Sequence, residues 1–179
     1  FAFSQNLSYF YLMQNSISVE NLSIHLIQVD LIWENKPENI KSIQREIEKL
    51  PASADVVILP EMFSTGFTMK PELVAESMSG KTVDWMTEMA STHQIALIGS
   101  LVIQENNNYY NRMLFVTKDG VLETYDKRHL FSYAGEDKVY TAGTERKIIK
   151  YKGWNICLQI CYDLRFPVFT RNHGEYDLL

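Results

Sequence analysis

The sequence lacks the features of several common protein classes. No stretch approaches the roughly 18 consecutive apolar residues that a membrane-spanning helix needs. The first basic residue is Lys36, so the N-terminus lacks the positively charged segment of a signal peptide. The net charge of −5 and the absence of a basic stripe argue against nucleic-acid binding. We therefore expect a protein that neither spans a membrane nor binds nucleic acid.

Motifs for metals and phosphates are also absent. The chain has no Cys-x-x-Cys pair, and His93 and His173 have no partner at metal-ligand spacing, which argues against a zinc site. There is no glycine-rich loop of the kind that binds phosphate groups. The sequence thus predicts no metal site.

Cysteine is rare, since Cys157 and Cys161 are the only two. They lie four residues apart on a predicted strand, where a rise of about 3.3 Å per residue separates their Cα atoms by ~13 Å. A disulfide needs Cα atoms within ~7 Å, so the two cannot pair with each other. Free thiols persist in reducing compartments, and the predicted location is therefore the cytoplasm.

The size and the two ends of the chain indicate part of a longer protein. With 179 residues, 46% of them hydrophobic, the chain fits one domain with its own core. It begins at Phe1, its first methionine is Met13, and residues 176–179 resemble the start of a buried strand. We therefore expect a fragment. Residues 1–21 show no clear periodicity and are predicted to form a poorly defined N-terminal extension.

A β-α-β unit is predicted next. Residues 24–29 are apolar on both alternating faces, which is typical of a strand inside a sheet. A helix begins at Asn35 or Lys36, with Pro37 in its first turn. Its apolar stripe consists of Ile40, Ile43, Ile47 and Leu50. Residues 55–60 form a second strand, and a crossover helix of this length makes the two strands parallel.

The following segments predict one more helix and an antiparallel meander. The helix spans residues 80–94, and its apolar face carries Val83, Met86, Met89 and Ala90. Residues 95–103, 109–117 and 121–125 read as strands, with a tight turn at residues 118–120. The sequence therefore predicts an α/β fold with a mixed sheet and no internal domain boundary.

Three predicted strands end at residues with reactive side chains. Glu61, Lys127 and Cys161 each follow a predicted strand, the last after the apolar run at residues 154–160. Taken singly, each has a structural explanation, because a free cysteine often packs as a small apolar residue and a loop glutamate is usually solvated. Since open α/β sheets collect their ligands at strand ends, we expect the three residues to form one catalytic site.

A carboxylate, an ammonium and a thiol suit the hydrolysis of an amide. An amide carbonyl is a poor electrophile, and covalent catalysis by a thiolate divides the reaction into two easier steps. Apolar neighbours desolvate Glu61, which suits a general base. We expect the positive charge of Lys127 to lower the pKa of Cys161.

Three segments resemble the signature segments of the nitrilase superfamily of carbon–nitrogen hydrolases. They are residues 59–63, 125–131 and 161–167, and they carry glutamate, lysine and cysteine in the family's order. Residues 61–67 and the Arg-His pair after the lysine are most similar to the ω-amidase branch. The resemblance implies an α-β-β-α sandwich formed by a carbon–nitrogen hydrolase domain at residues 22–179 that is truncated at its C-terminus.

The same resemblance implies roles for individual residues. Glu61 matches the general base, Lys127 the lysine beside the oxyanion, Cys161 the nucleophile and Glu136 the family's second glutamate. The implied reaction is hydrolysis of a small terminal carboxamide, as in 2-oxoglutaramate, through a cysteine thioester, with the backbone N–H of Tyr162 helping to bind the oxyanion. The family uses no metal or cofactor and is usually dimeric, so we expect a small-molecule substrate and a homodimer.

Several assignments around this site have alternatives. Arg128 and Arg165 are the candidate cations for a substrate carboxylate, although an ion pair between Asp163 and Arg165 that fixes the turn is favoured over a substrate role. His129 is expected to form a structural hydrogen bond rather than to act on Cys161. Aromatic residues that either wall the pocket or belong to the core are Phe63, Phe67 and Phe131.

Two other kinds of function are left open. A nitrilase or a carbamoylase would use the same three reactive residues, and substrate profiling separates these enzymes from an amidase. The alternative outside the enzymes is an inactive interaction module, because a truncated sandwich exposes a sheet edge that invites pairing with another chain. The three intact reactive residues favour an enzyme.

Overall fold

The computed structural model describes residues 21–179, so all but the last residue of the predicted N-terminal extension lies outside the described part. Two sheets are present in this range. The strands are β1 (Ile24–Leu26), β2 (Val56–Ile58), β3 (Ala96–Glu105), β4 (Asn108–Val116), β5 (Leu122–Asp126), β6 (Lys147–Tyr151) and β7 (Trp154–Leu158). The α-helices are α1 (Lys36–Ile47), α2 (Pro71–Val74), α3 (Lys81–His93) and α4 (Pro167–Thr170), and 3-10 helices span Ser132–Ala134, Glu136–Lys138 and Cys161–Arg165.

The larger sheet contains the predicted β-α-β unit and the predicted meander. Its strand order is β1-β2-β3-β4-β5, with β1, β2 and β3 parallel and β3, β4 and β5 antiparallel. The smaller sheet is the antiparallel pair β6-β7. The structure thus confirms the parallel crossover through α1 and the mixed sheet.

Helix α1 begins where the sequence predicts. The side chain of Asn35 accepts a hydrogen bond from the backbone N–H of Glu38 at 3.3 Å, which satisfies one of the unpaired donors at the helix start. Pro37 occupies the first turn, where its missing N–H is not needed. Ile43 and Ile47 of the apolar stripe are buried. Helix α3 buries the apolar face that was predicted for it.

Helices cover one face of the larger sheet, and the smaller sheet covers the other. One core cluster joins α1 and α3 to the larger sheet and includes Ile43, Met86, Val57 and Leu97. A second cluster joins the two sheets and includes Ile98, Phe115, Ile156 and Leu158. Burial of each such side chain contributes about 1.5–3 kcal/mol to the stability of the folded state. Because both clusters connect several elements, this packing fixes the positions of the strand ends relative to one another. No helix within residues 21–179 is both long and apolar enough to cross a membrane.

The observed strands differ from the predicted ones in several details, and β2 is also shorter than the predicted strand at residues 55–60. Strand β1 is shorter than predicted and lies at the edge of the larger sheet, where Leu26 is 76% exposed. An apolar run indicates which faces favour burial but not how many strands pair beside it, so the run alone does not place this strand. The strand predicted at residues 154–160 ends at Leu158. Strand β6 was not predicted, because its two isoleucines are too few to show a period.

Candidate active site

The loop that carries Glu61 is fastened to strand β3. The backbone N–H of Met62 donates to Oγ of Ser100 at 2.8 Å. Gly99 allows the ring of Phe63 to lie against the strand, because a Cβ atom at position 99 would be 2.8 Å from that ring. Phe63 is therefore a core residue, and its alternative place in the pocket wall is wrong. These contacts hold Glu61 at the end of β2.

Lys127 directly follows β5 and is buried with two carboxylates. Its Nζ donates to Oε1 of Glu61 at 2.7 Å. It also donates to Oε2 and Oε1 of Glu136 at 2.9 and 3.1 Å. The side chains of Lys127 and Glu136 are fully buried, whereas 20% of the Glu61 side chain is exposed. One ammonium therefore lies between two carboxylates, and Glu61 is the one that solvent reaches.

Burial disfavours the charged form of Lys127, but the two carboxylates reverse that effect. The charge and hydrogen bond of Glu61, together with those of Glu136, raise the pKa of Lys127 above its ordinary value. Lys127 is therefore an ammonium ion at neutral pH. Glu136 is held in turn by the backbone N–H of Phe131, which donates to its Oε2 at 2.6 Å.

Cys161 begins the 3-10 helix that follows β7. Its φ is 44°, a left-handed conformation that costs a non-glycine residue on the order of 1–3 kcal/mol. Both cysteines are free, as predicted, but Cys157 is buried and Cys161 is exposed. A cavity of about 390 Å³ is lined by Glu61, Phe67, Lys127, Phe131, Cys161, Tyr162 and Arg165. The structure thus brings the three residues at the strand ends together.

The charge of Lys127 lowers the pKa of Cys161, as the sequence predicts, but the net shift of this pKa is upward. Burial, with the negative charge and hydrogen bond of Glu61, raises the pKa of the thiol, and the opposing charge of Lys127 does not compensate. The two carboxylates that pair with Lys127 oppose it, because the charges of Glu61 and Glu136 both raise the pKa of Cys161. The resting side chain is therefore a thiol beside a proton acceptor.

Asp163 does not form the predicted ion pair with Arg165 in the part of the chain that the structure describes. It is fully buried, and both of its oxygens accept hydrogen bonds. Oδ1 accepts from the backbone N–H and from Nδ1 of His129, both at 2.8 Å. Oδ2 accepts from the hydroxyl of Tyr125 at 2.7 Å and from the backbone N–H of Ile160 at 3.1 Å. This carboxylate links the cysteine turn to the lysine loop, and His129 has the structural hydrogen bond that was predicted.

The two candidate cations for a substrate carboxylate have different surroundings. The guanidinium of Arg128 donates to the carbonyl of Thr144 at 2.8 Å and lies over the ring of Phe169, 5.4 Å from its centroid. Arg165 is exposed and lines the cavity. Among residues 21–179 it has no ion-pair partner. Arg165 is therefore the cation that is available to a ligand.

Asn111 is a site residue that was not predicted. It is fully buried on β4, and its Nδ2 donates to Oε1 of Glu61 at 2.8 Å and to Oε1 of Glu136 at 3.1 Å. The signal in the sequence was an asparagine, a residue depleted in strands, on the strand face that otherwise carries Tyr109 and Met113. An asparagine in such a place requires buried polar partners.

The site is equipped for acyl-transfer chemistry. A thiol attacks an electrophilic carbon, a neighbouring carboxylate accepts its proton, and an ammonium stabilises a developing oxyanion. The described residues include no group of three or more His, Cys, Asp or Glu side chains that could hold a metal ion.

A family model described as carbon-nitrogen hydrolase matches residues 23–176, and the chain therefore belongs to the carbon–nitrogen hydrolase family. The chain is 42% identical to omega-amidase YafV of Escherichia coli (strain K12) over 158 residues, which cover 88% of this chain and 60% of that protein. It is 32% identical to 2-oxoglutaramate amidase of Bacillus subtilis (strain 168) over 154 residues, or 84% of this chain and 60% of that protein. The chain thus spans 60% of the length of these relatives.

A crystal structure shows the same fold. XC1258 from Xanthomonas campestris, a CN-hydrolase superfamily protein with an arsenic adduct in its active site, is 42% identical to this chain with a TM-score of 0.82. The match covers 86% of this chain and 58% of that one. It confirms the α/β fold of the nitrilase type that the sequence motifs implied.

Proposed function

We propose that this chain forms the catalytic part of an amidohydrolase of the ω-amidase type. Its substrate is the terminal carboxamide of a small dicarboxylic acid monoamide such as 2-oxoglutaramate, and its products are the dicarboxylate and ammonia. Two relatives are named an omega-amidase and a 2-oxoglutaramate amidase, which supports this substrate class. The observation that carries the proposal is the 2.7 Å contact between Lys127 Nζ and Glu61 Oε1 in the cavity that Cys161 lines.

In the first half of the reaction, Glu61 accepts the proton of the Cys161 thiol while the sulfur attacks the amide carbon. The total charge of the site is unchanged by this transfer, because a thiolate replaces a carboxylate. The protonated Glu61 then gives the proton to the amide nitrogen, the C–N bond breaks and ammonia leaves. A thioester on Cys161 remains.

In the second half, Glu61 takes a proton from water as the water oxygen attacks the thioester carbon. The C–S bond breaks, the acid product leaves, and the proton returns to the sulfur of Cys161. One carboxylate thus serves all the proton transfers. Its partial exposure suits this role, since water must reach it.

The oxyanion of each tetrahedral intermediate is bound by the Lys127 ammonium and by the backbone N–H of Tyr162. Removing one such donor typically lowers kcat by about 10²–10³-fold. Glu136 orients the ammonium from its buried side through the contacts at 2.9 and 3.1 Å.

Arg165 and Phe67 bind the rest of the substrate. Arg165 pairs with the substrate carboxylate, because an exposed guanidinium at the cavity suits a planar two-oxygen anion. The ring of Phe67 lies with its centroid 5.0 Å from Lys127 Nζ and forms an apolar wall beside the ammonium.

The complete protein acts as a cytoplasmic homodimer in this proposal. The family resemblance supports the dimer, and the two free thiols support a reducing compartment. Analytical ultracentrifugation of the complete protein tests whether it is a dimer, and cell fractionation tests whether it is cytoplasmic.

Ammonia release from 2-oxoglutaramate by the complete protein tests the proposed reaction. We expect turnover by the wild type and by Cys157→Ala, which removes a thiol that does not line the cavity. We expect no turnover and no acyl adduct in the mass spectrum of Cys161→Ala. A preference for a nitrile or an N-carbamoyl compound would replace the amidase by a nitrilase or a carbamoylase. No turnover of any of these compounds would favour an interaction module.

A further inference from the structure

Asn111 contacts all three charged residues at the centre of the site. Its backbone carbonyl accepts a hydrogen bond from the backbone N–H of Lys127 at 3.0 Å. Its Nδ2 donates to Glu61 at 2.8 Å and to Glu136 at 3.1 Å. One residue therefore fixes the lysine through the main chain and both carboxylates through the side chain.

The orientation of the Asn111 amide is set by charge. If the amide were reversed, its carbonyl oxygen would face the two carboxylate oxygens that Nδ2 now contacts. In the observed orientation Oδ1 is buried and has no hydrogen-bond partner among the described residues. A buried unpaired acceptor lowers stability, and such departures from local satisfaction are typical of functional sites.

Two of the hydrogen bonds to Glu61 use the same oxygen. Lys127 Nζ and Asn111 Nδ2 reach Oε1 at 2.7 and 2.8 Å. Neither bond involves Oε2. The carboxylate cannot rotate to swap the positions of Oε1 and Oε2 without breaking both of these hydrogen bonds. Oε2 therefore remains available for proton transfer.

We propose that Asn111 is a positioning residue that holds Glu61 by Oε1 and directs Oε2 to the sulfur of Cys161 and then to the departing ammonia and the attacking water. This inference rests on the proposed function. A neutral amide suits the role, because it donates a hydrogen bond without adding a second positive charge that would oppose protonation of Glu61.

Asn111→Thr in the complete protein tests this role. Threonine favours strands and supplies one hydroxyl donor, so it cannot bridge both carboxylates. We expect kcat for the monoamide to fall by about 10²-fold, because the base is misplaced, with little change in KM. Asn111→Asp is the second variant, since it keeps the shape of asparagine but places a third carboxylate against Glu61 and Glu136. We expect its kcat to fall at least as far.

The titration of Cys161 separates positioning from a structural role. The charged groups around this thiol are Glu61, Lys127, Glu136 and Arg165. Glu61 raises the pKa of Cys161 through its charge and its hydrogen bond. Loosening Glu61 by Asn111→Thr should therefore move the pH profile of iodoacetamide alkylation of Cys161 to lower pH, and Glu61→Gln should move it in the same direction. In the double variant Asn111→Thr/Glu61→Gln, the alkylation profile of Cys161 should be the same as in Glu61→Gln alone.

Asn39 supplies a matched control for folding. It is a buried asparagine outside the cavity, and its side chain bonds with backbone groups of Ile32 and Ser64. We expect Asn39→Ala to lower the unfolding temperature without changing the pH profile of Cys161 alkylation.

The inference is overturned if the folded Asn111→Thr and Asn111→Asp variants keep the wild-type kcat, or if Asn111→Thr leaves the alkylation profile unchanged. Alkylation needs no substrate, so it reports the position of Glu61 independently of turnover. Failure of the wild type to release ammonia would overturn the proposed function alone.

Discussion

Oδ1 of Asp163 lies 2.8 Å from both the backbone nitrogen and the imidazole Nδ1 of His129. The contact joins the cysteine turn to the lysine loop, two segments that are 34 residues apart. The imidazole is also stacked on Phe166, with ring centroids 3.7 Å apart. The position of the sulfur relative to the ammonium thus depends on a buried carboxylate that does not line the cavity.

Asp163→Asn should weaken this link. The amide NH₂ group would face donors that now meet a carboxylate oxygen, so we expect the free energy of unfolding to fall by about 1.5–3 kcal/mol and kcat to fall with it. Urea unfolding and ammonia release measure the two quantities. The exposed His173 offers a control, since His173→Ala should change stability by no more than about 0.5 kcal/mol. Wild-type stability and kcat in Asp163→Asn would contradict the assignment.

Lys127→Met should leave a buried charge without its partner. Because the side chain of Glu136 is fully buried, we expect the variant to lose about 3–5 kcal/mol of stability at neutral pH. The double variant Lys127→Met/Glu136→Gln removes that charge as well and should recover most of the loss. Urea unfolding of both proteins makes the comparison, and equal stability of the single and double variants would speak against the buried pair.

The same pair predicts how wild-type stability changes at high pH. The folded state raises the pKa of Lys127, so it binds this proton more tightly than the unfolded chain does. The stabilisation is complete below the unfolded pKa of about 10.4 and is lost as the pH rises through the folded value. Above about pH 10.4, the unfolding free energy of the wild type should therefore fall more steeply than that of the double variant.

Arg165→Gln should weaken binding of a substrate that carries a carboxylate. A charged hydrogen bond is worth about 1.5–3 kcal/mol, so we expect KM for 2-oxoglutaramate to rise about 10–100-fold. An uncharged monoamide should keep its KM. Arg128→Gln is the matched control and should have the smaller effect, because Arg128 already bonds to Thr144. A larger increase in KM for Arg128→Gln than for Arg165→Gln in steady-state kinetics would show that Arg128 binds the substrate carboxylate.

Much of the fold could be predicted because its signals are local. The cap at Asn35, the buried stripe of α1 and the strand segments and tight turn of the meander depend on neighbours within a few residues. Strand β1 was misplaced because the number of strands that pair beside it is not a local property. The partner of Asp163 was misjudged for a related reason, since Arg165 is near it in sequence whereas His129 is near it in space.

The sequence by itself determined which reactive groups follow the strands, because Glu61 and Cys161 come after apolar runs of strand type and Lys127 comes after the last strand of the meander. Only the tertiary structure decided what surrounds them. Asn111 reaches Glu61 across 50 residues of chain, and Lys127 reaches it across 66. The pKa of Cys161 likewise depends on burial and on opposing charges from three segments, and such a balance is fixed by distances in space rather than by order along the chain.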